Sequence, residues 1–222
     1  NVQLADLVRA ALPFPVPVVA ENDANAFAIG ASYGGSEPHS GVTLFLVMES
    51  GVGGGIVVNG SLFRGAHGLA GEIGHLRIEG VAGPARSLED VLGLECILAR
   101  HRETTAQIDP TFQTFLGEVR DRVPGAVAIA EDWARALAYG VIQACRIIDA
   151  DRIVLGGSVA ELYPLMAARV THHIQAMQEA SFPLPGIETN NDQTIGPAFG
   201  AACMAHQRYL SPENQRMMEE AA

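Results

Sequence analysis

The sequence predicts an α/β fold, and three observations predict it. Short apolar runs with β-branched members alternate with longer stretches of helical spacing. Glycines crowd the ends of the apolar runs, and no internal repeat interrupts the alternation. In chain order, Leu4–Leu12 reads as a helix and Val16–Ala20, after a proline-rich turn, as a short buried strand. Ala24–Ala31 begins a second helix, which either Asn22 or Asp23 would cap. Val42–Met48 is a continuous apolar run and reads as a central strand; Gly51–Gly55 turns the chain, and Ile56–Val58 begins the next strand. Asn59-Gly60 marks a tight hairpin that returns Ser61–Arg64 antiparallel. Leu88–His101 is helical by spacing, whereas Thr104–Pro110 is polar and loop-like. Ala126–Asp149 is a long helix with Ile129, Trp133, Leu137, Val141, Ala144 and Ile148 on its apolar face. Arg152–Leu155 is a strand running into Gly156-Gly157, and Val159–Gln178 is the helix that follows. Ile187–Thr189 is a last short strand, and a helix runs from Pro197 to about Tyr209.

Composition narrows the classes of function. The chain has 222 residues, and its formal charge of −11 comes with 14 basic residues that form no run. Gripping a nucleic-acid backbone takes clustered positive charge, so this chain by itself is not expected to do so. The cysteines, Cys96, Cys145 and Cys203, stand far apart in apolar helical contexts and read as buried reduced thiols. No signal peptide or apolar run of transmembrane length is visible, which makes the cytoplasm the expected compartment and a membrane an unexpected partner. The chain lacks an initiator Met and opens inside a helix, as the C-terminal piece of a longer protein would.

Two segments carry the chemistry. Gly51–His75 packs nine glycines around a strand pattern and closes on a carboxylate, Glu72, three residues before an imidazole, His75. Upstream, the Glu21–Asn25 segment sets an amide beside a carboxylate, Asn22 and Asp23, just after an apolar run. Carboxylates and amides match the spacing of vicinal hydroxyls through bidentate hydrogen bonds, so a small sugar is the indicated ligand. Each residue also has a plainer use. Asn22 and Asp23 serve as helix caps, Glu72 as a solvated turn carboxylate, and His75 as a surface histidine.

Both segments resemble the ROK family, which joins bacterial sugar kinases and sugar-responsive transcriptional regulators. The matching blocks are Glu21-Asn22-Asp23-Ala24-Asn25, Gly51-Val52-Gly53-Gly54-Gly55, Gly60 through Arg64-Gly65-Ala66, and Gly71-Glu72-Ile73-Gly74-His75. Ile153-Val154-Leu155-Gly156-Gly157 and Gly196-Pro197-Ala198-Phe199-Gly200-Ala201-Ala202 follow in order. The resemblance implies an actin-like ATPase, ribonuclease-H-like fold with two lobes and a ligand cleft between them. Residues 1–20 would be a remnant of the smaller lobe, 21–196 the larger C-terminal lobe, and 197–222 a helix returning toward the smaller lobe. The family's N-terminal Asp-x-Gly-Gly phosphate motif is absent from the chain.

Mapped onto this sequence, the family's sugar contacts fall on Asn22, Asp23, Glu72 and His75, with Glu89 as a fifth. Glu89 has the alternative use of a helix-start carboxylate favoured by the macrodipole. In a kinase, Asp23 would be the general base toward Mg-ATP, and Ser50, Gly51, Gly53, Gly156 and Gly157 would bind the nucleotide. After the histidine the family usually carries a cysteine cluster that binds zinc, but Leu76–Leu88 here has no cysteine. Zinc is therefore not expected, because a structural site needs about four ligands. The family's kinases generally have Gly-Thr-Gly at the turn before the glycine-rich strand. Here it is Glu49-Ser50-Gly51, with an acidic residue as in the regulators. If Glu49 does not simply point into solvent, its charge is unfavourable beside a triphosphate. The expectation is thus the sugar-sensing portion of a regulator with no cofactor, forming a homodimer and touching DNA only through a domain outside this chain. The alternative is an ATP-dependent sugar kinase with Asp23 as base.

Overall fold

The computed structural model describes residues 3–34, 40–78, 86–105, 110–178, 182–190 and 196–210. A five-stranded mixed sheet organises it, in the order β3-β2-β1-β6-β7. The strands are β1 (Val42–Met48), β2 (Val52–Val58), β3 (Ser61–Phe63), β6 (Arg152–Gly156) and β7 (Gly186–Thr189). β1, the expected central strand, pairs antiparallel with β2 and parallel with β6. A separate two-stranded ribbon joins β4 (Arg77–Ile78) to β5 (Arg86–Ser87).

The strand period of two sends alternate side chains of β1 to opposite faces. Leu44, Leu46 and Met48 join Ile153 and Leu155 of β6 in the main core, while Phe45 and Val154 pack on the other side with Phe27 and Ala28. Phe27 and Ala28 belong to α2 (Asp23–Gly34). The main core is closed by α6 (Pro124–Ile148), which has Pro124 in its first turn and ends where Asp149 turns left-handed at φ 49°. Its Ile129, Trp133, Leu137, Val141 and Ala144 are buried as the helical spacing predicts. Each large apolar side chain so buried contributes roughly 1.5–3 kcal/mol.

Several elements depart from the sequence reading. Val16–Ala20 forms no strand; the segment is irregular and partly exposed. Pro15 and Pro17 lack N–H donors, which strips one edge of the run of its ladder bonds. The helix before it, α1 (Leu4–Ala11), buries none of its side chains. The glycines at 53–55 do not turn the chain but lie inside β2; the turn is Glu49–Gly51, closed by the Glu49 N–H donating to the Gly51 carbonyl at 2.9 Å. They are glycine because α2 lies against the strand, where a Cβ at Gly53 or Gly55 would meet the Cβ of Ala24 or Ala28 at 2.7 Å. The hairpin holds as read, with Asn59 and Gly60 both at positive φ (49° and 77°), as a type I′ turn requires.

The helix expected over Leu88–His101 is two, α3 (Glu89–Leu92) and α4 (Leu94–Thr105), broken at the extended Gly93. There the Leu94 N–H donates to the Glu49 carbonyl at 2.7 Å, so the break anchors the turn after β1. The predicted loop at Thr104–Pro110 begins inside α4, and its 106–109 stretch lies outside the described residues. A helix went unpredicted: α5 (Phe112–Arg120), capped by Thr111, whose Oγ1 accepts from the Thr114 N–H at 3.1 Å. Val159–Gln178 divides into a 3₁₀ segment, Ser158–Leu162, and α7 (Tyr163–Met177), with Pro164 at the junction supplying no N–H. The last helix, α8 (Pro197–Leu210), packs on α2 through Gly200, where an added Cβ would overlap the Ala26 carbonyl. Among the described residues no helix is long and apolar enough to cross a membrane.

Candidate functional site

β1 and β6 run parallel, so their carboxyl ends, Glu49-Ser50 and Gly157-Ser158, emerge side by side, the usual place for a ligand in an α/β sheet. A cleft of about 990 Å³ opens there, walled also by the start of α2 and by the loop carrying Glu72 and His75. Asn22, Asp23, Glu72, His75 and Glu89 all line it, as do Ser50, Gly51, Gly53 and Gly157. Gly156 does not: by strand alternation it faces α2, where the Phe27 ring leaves no room for a side chain.

Asn22 caps α2. Its Oδ1 accepts from the N–H groups of Ala24 at 2.9 Å and Asn25 at 3.1 Å, and Asp23 Oδ1 accepts from Ala24 at 2.8 Å. The cap is held from behind by Glu21. One of its oxygens takes the Asn22 N–H at 3.1 Å and the Asn25 amide at 3.0 Å; the other takes Arg64 Nε and Nη2 at 3.0 and 2.8 Å. Burial alone would raise the Glu21 pKa, but the hydrogen bonds from Arg64, Asn25 and Asn22 outweigh it and hold the carboxyl below its ordinary value. Arg64 follows β3 at the entry to the loop that reaches Glu72, so this ion pair ties the two walls of the cleft together.

That loop folds back on β2 at glycines. Gly71, at φ 94°, abuts the Gly54 backbone, and Gly74 abuts the Val52 carbonyl. A single 3₁₀ turn, Ile73–His75, then sets Glu72 and His75 on one side, with Oε2 and Nε2 3.6 Å apart and both side chains exposed. The separation is too long for a hydrogen bond and leaves both groups available to a ligand. Glu89, at the start of α3, has one oxygen committed, accepting the Val52 N–H at 3.0 Å.

Glu49 is exposed, but its carboxylate is not free. Its two carboxylate oxygens accept from the backbone N–H and the hydroxyl of Ser158, each at 2.7 Å. Sequence reasoning missed Ser158, Glu161 and Arg120, which also line the cleft. Arg120 closes α5, whose apolar residues Phe112, Phe115, Leu116 and Val119 recur at helical spacing after a capping threonine, a signal present in the sequence. Glu161 is held by the Gln113 amide at 2.9 Å. Among the described residues no group of three or more His, Cys, Asp or Glu side chains is placed to hold a metal ion. The segment 79–85, where the family's cysteine cluster would fall, lies outside the described residues. The thiols are unbridged, Cys203 buried and Cys96 and Cys145 partly so.

The family model for ROK matches residues 1–208. The chain belongs to the ROK family. It is 25% identical over 224 residues to a glucokinase of Halalkalibacterium halodurans, covering 92% of this chain and 66% of that enzyme. It is 24% identical over 207 residues to a xylose repressor of Bacillus subtilis, covering 89% of this chain and 52% of the repressor. Among solved structures, a ROK family glucokinase from Streptomyces griseus in complex with glucose and AMPPNP superposes with a TM-score of 0.76 at 22% identity, covering 92% of this chain and 72% of that one. The fold is therefore that of the ROK family, the actin-like ATPase fold predicted from the sequence. The chain spans about half to two thirds of the length of these relatives.

Proposed function

We propose that this chain is the sugar-sensing portion of a ROK transcriptional regulator. A hexose or hexose derivative would bind at Asn22, Asp23, Glu72, His75 and Glu89, and thereby change DNA binding by a helix-turn-helix domain outside the chain. The observation that carries the reading is Glu49. By the family resemblance the turns after β1 and β6 would face the phosphates of a nucleotide, where the useful protein groups are free N–H and hydroxyl donors. Here the Ser158 N–H and hydroxyl are already taken by a carboxylate of the same chain. A phosphate brought within about 4 Å of that carboxylate would lose the donors and meet a repulsion of about 1–4 kcal/mol per charge pair at effective dielectric constants of 80 to 20. That turn therefore fits a triphosphate poorly.

Residues 1–20 and α8 would complete, with the smaller lobe, the far wall of the cleft. Sugar binding would close the lobes and alter the geometry of a cytoplasmic homodimer, in the manner of hinge-closing allosteric proteins. A second reading, an ATP-dependent sugar kinase, is favoured by the retained Asp23, which lines the cleft where a general base would stand. Calorimetric titration of the full-length protein with hexoses and N-acetylhexosamines, with and without Mg-ATP and with ADP release followed in parallel, separates the two. Sugar binding without ADP production supports the sensor; sugar-dependent ADP release overturns it.

A further inference from the structure

The cleft has a charge as well as a shape. Among the described residues five carboxylates line it, Asp23, Glu49, Glu72, Glu89 and Glu161, against one guanidinium, Arg120. The sequence contains no lysine, so no ammonium of this chain can offset them.

Elsewhere in the molecule several carboxylates are matched with arginines, Glu21 with Arg64, Asp132 with Arg100, Glu131 with Arg169 and Glu188 with Arg152, while Asp90 and Asp151 accept from neutral donors. Within the cleft the donors are neutral throughout. Asp23 accepts from the Ala24 N–H, Glu49 from Ser158, Glu89 from the Val52 N–H and Glu161 from the Gln113 amide. Those donors are neutral; they fix the carboxylates in place without cancelling their charge. Glu72 stands 3.6 Å from His75, with no hydrogen bond between them. None of the five is paired with an arginine among the described residues, nor are they gathered tightly enough to chelate a metal ion. On the wall this chain supplies, carboxylates are therefore in excess, and a concave site lined by one sign of charge acts on its ligand.

We propose that the cleft admits the free sugar, neutral or amine-bearing, and excludes its phosphate esters. A phosphate monoester carries about −1.5 to −2 charges at pH 7 and would enter a site with an unbalanced excess of carboxylates. A free hexosamine brings one positive charge and gains where the ester loses. The inference rests on the sensor reading above and gives it a direction. The protein reports a sugar before phosphoryl transfer, and the reaction class that consumes its ligand is ATP-dependent phosphorylation of that sugar.

The test is calorimetric titration of the full-length protein with glucose, N-acetylglucosamine, glucosamine, and the 1- and 6-phosphates of the first two, at low and high ionic strength. The expected order is glucosamine at or above the neutral sugars, with every ester at least about tenfold weaker than its parent. The gap should narrow as salt shortens the Debye length from about 30 Å at 0.01 M to about 3 Å at 1 M. Neutralising two carboxylates outside the proposed hydroxyl contacts, Glu49→Gln with Glu161→Gln, should narrow it as well. An ester that binds as tightly as its parent overturns the inference and leaves the sensor reading standing. Absence of binding by every sugar, free or esterified, overturns both.

Discussion

The substitution Gly→Ala should have opposite signs in two helices of this protein. In a helix interior alanine is favoured over glycine by about 0.8–1 kcal/mol, so with nothing in the way it stabilises. Gly117 in α5 is such a place, with no heavy atom within 4 Å of an added Cβ. Gly200 in α8 is not. Its Cβ would overlap the carbonyl of Ala26 and lie 3.1 Å from the Ala26 Cα, both backbone atoms of α2. Backbone cannot rotate aside, so α2 and α8 must part, and overpacking of this kind costs about 1–3 kcal/mol or more. Set against the propensity gain, Gly200→Ala should destabilise by about 1–2 kcal/mol, while Gly117→Ala stabilises by about 0.5–1 kcal/mol. Because α2 begins at Asn22 and Asp23, the first variant should also weaken sugar binding and the second should not. Urea denaturation with a common m-value measures the two stabilities. A Gly200→Ala protein as stable as the parent would refute the close approach of α2 and α8.

Four further outcomes are expected. Asn22→Asp keeps the cap oxygen and should hold stability, whereas Asn22→Ala should lose about 1 kcal/mol in urea melts; both should weaken sugar binding, because both remove the amide donor. Glu72→Ala should weaken sugar binding by about 1–3 kcal/mol in calorimetry, through an unpaired ligand hydroxyl, with little change in unfolding. The Arg169 hydrogen bond brings the Glu131 carboxyl from its ordinary 4.5 down to about 2, against the upward push of burial and with help from His173. A depressed carboxylate stabilises fully above its unfolded pKa, so this contribution should fade as pH falls from about 4.5 toward about 2, and Glu131→Gln should flatten the fall in Tm over that window. Burial pushes the Cys145 thiol up to about 11, so it should resist alkylation at neutral pH until the protein is unfolded, as mass spectrometry would show.

What could be read from the sequence was what local chemistry decides. The strand β1, the long helix α6 and the Asn59-Gly60 hairpin follow from apolar period and turn residues, and each appeared where predicted. The residues quoted for the sugar came together as well, because short segments at strand and helix ends carry them. The misreadings share a cause. Gly51–Gly55 reads as a turn because glycine signals both a turn and a close approach, and only the neighbours of Gly53–Gly55, α2 and the Gly71 backbone, decide between them. Val16–Ala20 has the apolar content of a buried strand, but Pro15 and Pro17 lack the N–H donors a strand would need. The partner of Glu49 stands 109 residues away, beyond any local pattern.

Glu49 also shows how one side chain can join structure to ligand choice. Its backbone closes the turn after β1 and receives the Leu94 N–H, while its carboxylate binds the first residue after Gly157. The same turn is gripped from the far side by Glu89 through the Val52 N–H. Two carboxylates thus rigidify the junction of three elements with neutral donors, the partners that leave their charges intact. Arginines in those places would have served the turn equally well as ion pairs and would have made the cleft hospitable to phosphate. The choice of neutral partners holds the wall still while leaving its carboxylates unpaired with arginine, which is what the proposed preference for unphosphorylated sugar requires.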